Sequence, residues 1–109
     1  MKSITDTTTL ETIYGAKRPI VVKFEARWCN ACKAMKPLLD DIEKQLYGKV
    51  DFYVADVEQC MNAAQLYRVN QIPALLAIDK GVVTATRIGA GSKAEILQWI
   101  KTAIPGAKG

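Results

Sequence analysis

Two cysteines separated by two residues dominate the chemistry this chain can do. They are Cys29 and Cys32, set in Arg27-Trp28-Cys29-Asn30-Ala31-Cys32-Lys33, with Lys36 and Pro37 just beyond. Such a pair can supply half of a metal site, close a structural disulfide, or cycle between dithiol and disulfide. A structural zinc site needs four ligands, usually Cys and His. The chain has no histidine and one further cysteine, Cys60, so a metal would require ligands from a second chain. A lasting disulfide belongs to an oxidising compartment. Residues 1–6, Met-Lys-Ser-Ile-Thr-Asp, lack the apolar segment and small-residue cleavage site of a secretory signal. The expected setting is therefore the cytoplasm, which is reducing, and thiol exchange is the reading that the pair favours.

That reading needs the pair at a strand-to-helix junction. Pro19 precedes an extended, β-branched run, Ile20-Val21-Val22-Lys23-Phe24. From Ala31 the pattern becomes helical: Met35, Leu38, Leu39, Ile42 and Leu46 make one apolar stripe that ends at Gly48, with a kink expected at Pro37. The first turn of a helix carries unpaired N–H groups and the positive end of its dipole, and both favour a thiolate. The dipole contributes about 0.3–1 kcal/mol, so neighbouring groups must supply the rest. Cys29, at the entrance, is expected to be the exposed nucleophile. Cys32, one turn further in, is expected to be the shielded resolving thiol.

The remaining elements follow from the same rules. Leu10, Ile13 and Tyr14 lie at helical spacing within 7–16. Residues 50–55 read as a second central strand, and Met61, Ala64, Leu66 and Tyr67 as a short helix. Residues 75–78 and 82–86 flank Asp79-Lys80-Gly81 as a hairpin. Ser92 with Glu95 three positions on is a capping box for a last helix that buries Ile96, Leu97 and Ile100. Residues 105–109 read as a loose tail. Strands alternating with helices and ending in a hairpin predict an α/β domain over residues 1–109, with a mixed sheet covered by helices on both faces. The net charge of +4 is dispersed along the chain, without a block that would grip nucleic acid. No apolar run has the length of a membrane span.

Phe24-x-Ala26-x-Trp28-Cys29-x-x-Cys32-Lys33, then Pro37, Ile72-Pro73 and Gly89, resemble the thioredoxin family. The match runs from about Pro19 to Ile104 and is weaker before it. The resemblance implies the thioredoxin fold, a central four- to five-stranded mixed sheet with about four helices. It implies that Trp28 shields the sulfurs, that Ile72-Pro73 is a cis dipeptide pairing with an extended substrate, and that Ile88-Gly89-Ala90 completes an apolar groove with Asn30, Ala31 and Gln71 at its edges. It further implies a monomer without cofactor or metal, acting on disulfide-containing proteins and reduced by a thioredoxin reductase, with no nucleic-acid or membrane partner.

The chain departs from that family at defined positions. Asn30-Ala31 replaces the usual Gly-Pro, which frees a backbone N–H beside the sulfurs and predicts a higher reduction potential. Lys23 stands where the family carries a buried, proton-relaying aspartate, and Val54 stands where that aspartate's lysine partner would be. Three readings of Lys23 follow. Its stem is buried while its ammonium reaches solvent; or its charge lowers the thiol pKa values; or it acts as a base itself. Glu25, two residues along and so on the same strand face, can pair with it. Gln71 replaces a small residue before Ile72-Pro73. Arg27, Lys33 and Lys36 ring the pair as a solvated surface or a docking site for acidic partners. Cys60 reads as a half-buried small residue, with regulatory oxidation as the lesser alternative. The expected activity is reduction of protein disulfides. A more oxidising disulfide oxidase or isomerase and a non-catalytic binding module are the alternatives.

Overall fold

The computed structural model describes residues 1–108. Among these, five strands form one sheet in the order β1-β3-β2-β4-β5: β1 (Lys2–Ile4), β2 (Ile20–Glu25), β3 (Asp51–Asp56), β4 (Ala74–Asp79) and β5 (Val82–Ile88). β3 runs parallel to both β1 and β2, whereas β4 is antiparallel to β2 and to β5. The sheet is thus mixed. Strands β2 and β4 lie inside it and are covered on both sides, which explains their near-continuous hydrophobic runs.

Helices α1 (Thr9–Tyr14) and α3 (Met61–Leu66) cover one face, where Ile13, Ala63 and Ala64 meet Ile20, Val22, Phe24, Leu76 and Ile78. Helices α2 (Asn30–Gln45) and α4 (Lys93–Ala103) cover the other, where Met35, Leu39, Ile42, Ile96 and Ile100 meet Val21, Leu75 and Ala77. The fold is the α/β thioredoxin-like architecture. Alternate residues of β2 serve opposite faces, so Val21, Lys23 and Glu25 share the α2 side.

Several local expectations hold and some need correcting. The capping box is complete, with Glu95 N–H donating to Ser92 Oγ at 3.1 Å and Ser92 N–H to Glu95 Oε1 at 3.0 Å. The hairpin closes through a two-residue loop with Lys80 and Gly81 both at positive φ, 53° and 81°, the type I′ geometry that suits strand twist. α2 starts one residue earlier than expected and passes through Pro37, which cannot donate the bond that Lys33's carbonyl would accept. α1 buries Ile13 but leaves Leu10 and Tyr14 exposed, and α3 likewise leaves Met61 and Leu66 exposed. Both helices have six residues, under two turns, so each presents little more than one residue row to the sheet. Residues 105–108 are not a loose tail. They form a 3-10 turn whose Ala107 is buried in the α2–α4 core, leaving only Gly109 of the expected tail outside the described residues.

Candidate functional site

The polypeptide leaves β2 at Glu25 and enters α2 at Asn30, so the four-residue link Ala26-Arg27-Trp28-Cys29 makes Cys29 the N-cap of the helix. Cys29 N–H donates to the Ala26 carbonyl at 3.1 Å, which fixes the link. Cys29 and Cys32 are joined as a disulfide with Cα atoms 5.2 Å apart. Cys32 N–H donates to Cys29 Sγ at 3.1 Å, so the sulfur takes one of the unpaired N–H groups of the first turn. This is the contact that would hold a thiolate at Cys29.

Cys29 is less open than the sequence suggests. It is 7% exposed against 1% for Cys32, so the order of accessibility is as expected while Cys29 presents only a small part of its surface. Ala26 and the half-buried Val57 and Ile72 pack around the two sulfurs. Val57 escaped sequence reading because it lies just past β3, where nothing local marks it. Its N–H donates to the Glu25 carbonyl at 2.8 Å, which extends the β2–β3 ladder to the site.

Ile72-Pro73 is cis. Pro73 is buried immediately before β4, and Gly89 N–H donates to the Pro73 carbonyl at 2.8 Å. Gly89 has φ of 92°, which a glycine adopts readily. These residues therefore form one rim, joined to the cysteines through Ile72. Ile88, Ala90 and Gln71 are exposed along it. Asn30 and Ala31 are exposed on the first turn of α2. Trp28 is 69% exposed, so its ring lies open beside Cys29 and is not a buried cover over the sulfurs.

Lys23 overturns the solvent-reaching expectation. It is 1% exposed and lies in the middle of β2, opposite Val54 on β3 and Leu75 on β4. At this point of β2 the packed α2 side gives the Lys23 side chain no route to water. Instead Nζ donates to the Cys32 carbonyl at 2.7 Å and pairs with Glu25 Oε1, also at 2.7 Å. Both contacts use Nζ as a hydrogen-bond donor. Glu25 is 33% exposed and lines a cleft of ≈ 410 Å³ together with Ala26, Arg27, Cys32, Lys33 and Lys36.

Cys60 lies apart, fully buried at the entrance to α3, with Sγ donating to the Ile4 carbonyl at 3.1 Å. Burial, and then the Asp6 and Asp56 carboxylates, push its thiol up from the ordinary value. Among the described residues no helix is long and apolar enough to cross a membrane.

The comparisons agree with this geometry. The family model described as thioredoxin matches residues 1–102. A thioredoxin of Buchnera aphidicola subsp. Acyrthosiphon pisum is 35% identical over 97 residues, 89% of this chain and 90% of that protein. A thioredoxin of Rickettsia felis is 30% identical over 102 residues, 94% and 97% of the two chains. Thioredoxin C-2 of Corynebacterium nephridii is 35% identical over 88 residues, 81% and 82% of the two. With its helix-capping disulfide pair beside a cis-proline rim, the chain belongs to the thioredoxin family of thiol–disulfide oxidoreductases.

Proposed function

We propose that the chain, as a single domain over residues 1–109, reduces protein disulfides. The observation that carries this reading is the graded accessibility of a disulfide at a helix N-cap: Cys29 is reachable at the surface and Cys32 is not. In the reduced protein the Cys29 thiolate attacks one sulfur of a substrate disulfide. The substrate S–S bond breaks, a mixed disulfide forms at Cys29, and the first substrate thiol leaves with the electron pair. Cys32 then attacks Cys29 Sγ. The second substrate thiol is released and the Cys29–Cys32 disulfide is left behind.

The rim formed by Trp28, Asn30, Ala31, Gln71, Ile72, Pro73, Ile88, Gly89 and Ala90 holds the substrate segment, with the dipeptide Ile72-Pro73 beside the sulfurs. Regeneration falls to a thioredoxin reductase in the cytoplasm, and the chain works as a monomer. The deciding experiment is NADPH-coupled insulin reduction with a thioredoxin reductase. Turnover that disappears in Cys29→Ser is expected; reduction that survives this substitution would rule out the mechanism.

A more oxidising exchange is the second reading. It is favoured by Ala31, whose backbone N–H sits in the first turn where the family has proline. Equilibration with a glutathione couple distinguishes the two, because an oxidase or isomerase stays reduced in mixtures that oxidise a reductase.

A further inference from the structure

We propose that Glu25 accepts the proton of the Cys32 thiol and that Lys23 is the positioning residue that turns its carboxylate towards that thiol. The proposal rests on the assignment of Cys32 as the resolving thiol.

A thiol that is 1% exposed must lose a proton before it can attack, and bulk water does not reach it freely. Glu25 is the single carboxylate lining the cleft that Cys32 also lines. The other charged groups there, Arg27, Lys33 and Lys36, are donors. Two further carboxylates lie at neighbouring positions, and neither lines the cleft. Asp56, opposite Glu25 on β3, accepts from Glu58 N–H at 2.8 Å and faces Arg27, while Asp40 on α2 pairs with Lys36 at 3.0 Å. The cleft is many times the roughly 30 Å³ share of one water, so ordered water can carry the proton across it.

Lys23 explains why the carboxylate is held there. An exposed glutamate at the end of a strand would ordinarily extend into solvent. Here an ammonium buried under α2 draws Glu25 Oε1 inwards to 2.7 Å and at the same time holds the Cys32 backbone by its carbonyl. One side chain thus fixes the donor's backbone and the acceptor's oxygen. Glu25 remains one-third exposed, so it can return the proton to water or to the departing thiol.

In the resolving step the S–H bond of Cys32 breaks and an O–H bond forms on Glu25. The thiolate attacks Cys29 Sγ, the mixed disulfide breaks, and the substrate sulfur leaves with the electron pair and is protonated from Glu25 or water. No outside oxidant or reductant enters.

The test uses the reduced full chain and dithiobis-nitrobenzoate, a coloured aromatic disulfide. Its first thiolate is released by attack of Cys29, in a phase that depends on reagent concentration. Its second is released by Cys32, in a phase that does not. In Glu25→Gln the first phase should stay within about twofold of wild type while the second slows by about tenfold or more at pH 7, the lower reach of general-base effects. The difference should narrow as pH rises, because hydroxide then takes over the proton from the thiol. Glu25→Asp should restore part of the rate, and Lys23→Met should slow the second phase as Glu25→Gln does. A second phase in Glu25→Gln as fast as wild type at pH 7 overturns the proposal, and if Lys23→Met fails to fold the two Glu25 variants decide alone. Release of a single equivalent by wild type overturns the assignment of Cys32 itself, and the proposal with it.

Discussion

Nζ of Lys23 lies 2.7 Å from the Cys32 carbonyl and 2.7 Å from Glu25 Oε1, so a fully buried ammonium joins the middle of β2 to the first turn of α2. Removing either partner breaks the pair, but loss of Glu25 leaves a charge inside the protein, whereas loss of Lys23 leaves one on a carboxylate that is one-third exposed. Lys23→Met is therefore expected to change stability by no more than about 1 kcal/mol. Glu25→Ala, which strands the ammonium, should cost about 2 kcal/mol, a figure lowered from the fully buried case because Glu25 is partly solvated. Urea denaturation of the oxidised proteins checks the order; a larger loss for Lys23→Met would contradict it.

The first turn of α2 also sets the redox balance. Ala31 carries an N–H in the turn that already gives Cys32 N–H to Cys29 Sγ. Ala31→Pro removes that donor at a position where proline is tolerated. The reduced form, with its Cys29 thiolate, loses stabilisation, so the reduction potential should fall, by about 30 mV for each ~1.4 kcal/mol lost. Equilibration of both proteins in one glutathione series measures the difference, and an unchanged or raised potential would exclude the N–H as its source.

Cys60 should be silent towards reagents in the folded protein. It is fully buried, and burial together with Asp6 and Asp56 holds its thiol protonated past the ordinary range. Iodoacetamide at pH 7.5 should label Cys29 in the reduced protein and leave Cys60 until the chain unfolds, read by mass spectrometry. The alkaline limb of stability follows. The folded thiol binds its proton more tightly than the unfolded one, so this contribution is complete below about pH 8.5 and is lost as pH rises through the higher folded value. Tyr67, pushed up by burial and then by Tyr14, acts in the same direction further up the scale. Cys60→Ala should flatten the fall above about pH 8.5 in the oxidised protein.

At α4, Ser92→Ala removes the cap and should cost about 1 kcal/mol. The Ser92 backbone N–H, then its hydroxyl, and Arg87 hold the Glu95 carboxyl below its usual range. A lowered folded value means this contribution is present above about pH 4.3 and is lost as acid protonates the folded group. Glu95→Gln can keep the reciprocal bonds while losing that acid dependence. A thermal-melt series from pH 6 to pH 3 separates the two variants.

Much of the site was legible from local pattern. Cys29 and Cys32, the β2–α2 junction, the Lys80-Gly81 turn and the Ser92–Glu95 box are each specified within a few residues, by turn geometry and capping chemistry. The exposed Leu10 and Tyr14 and the buried Ala107 were not, because helical spacing tells which residues share a face but not whether another element covers it.

By itself the sequence determined that two thiols share one helical turn after a hydrophobic strand, and that Glu25 follows Lys23 on the same face of that strand. Only the tertiary structure decided what surrounds them. β2 lies between β3 and β4 with α2 against one face, so Lys23 has no path to water and must find its acceptors indoors. Ile72 and Val57 reach the sulfurs from loops distant in the chain, placed by sheet order and register. Those contacts depend on how non-local elements pack, and no short-range pattern encodes them.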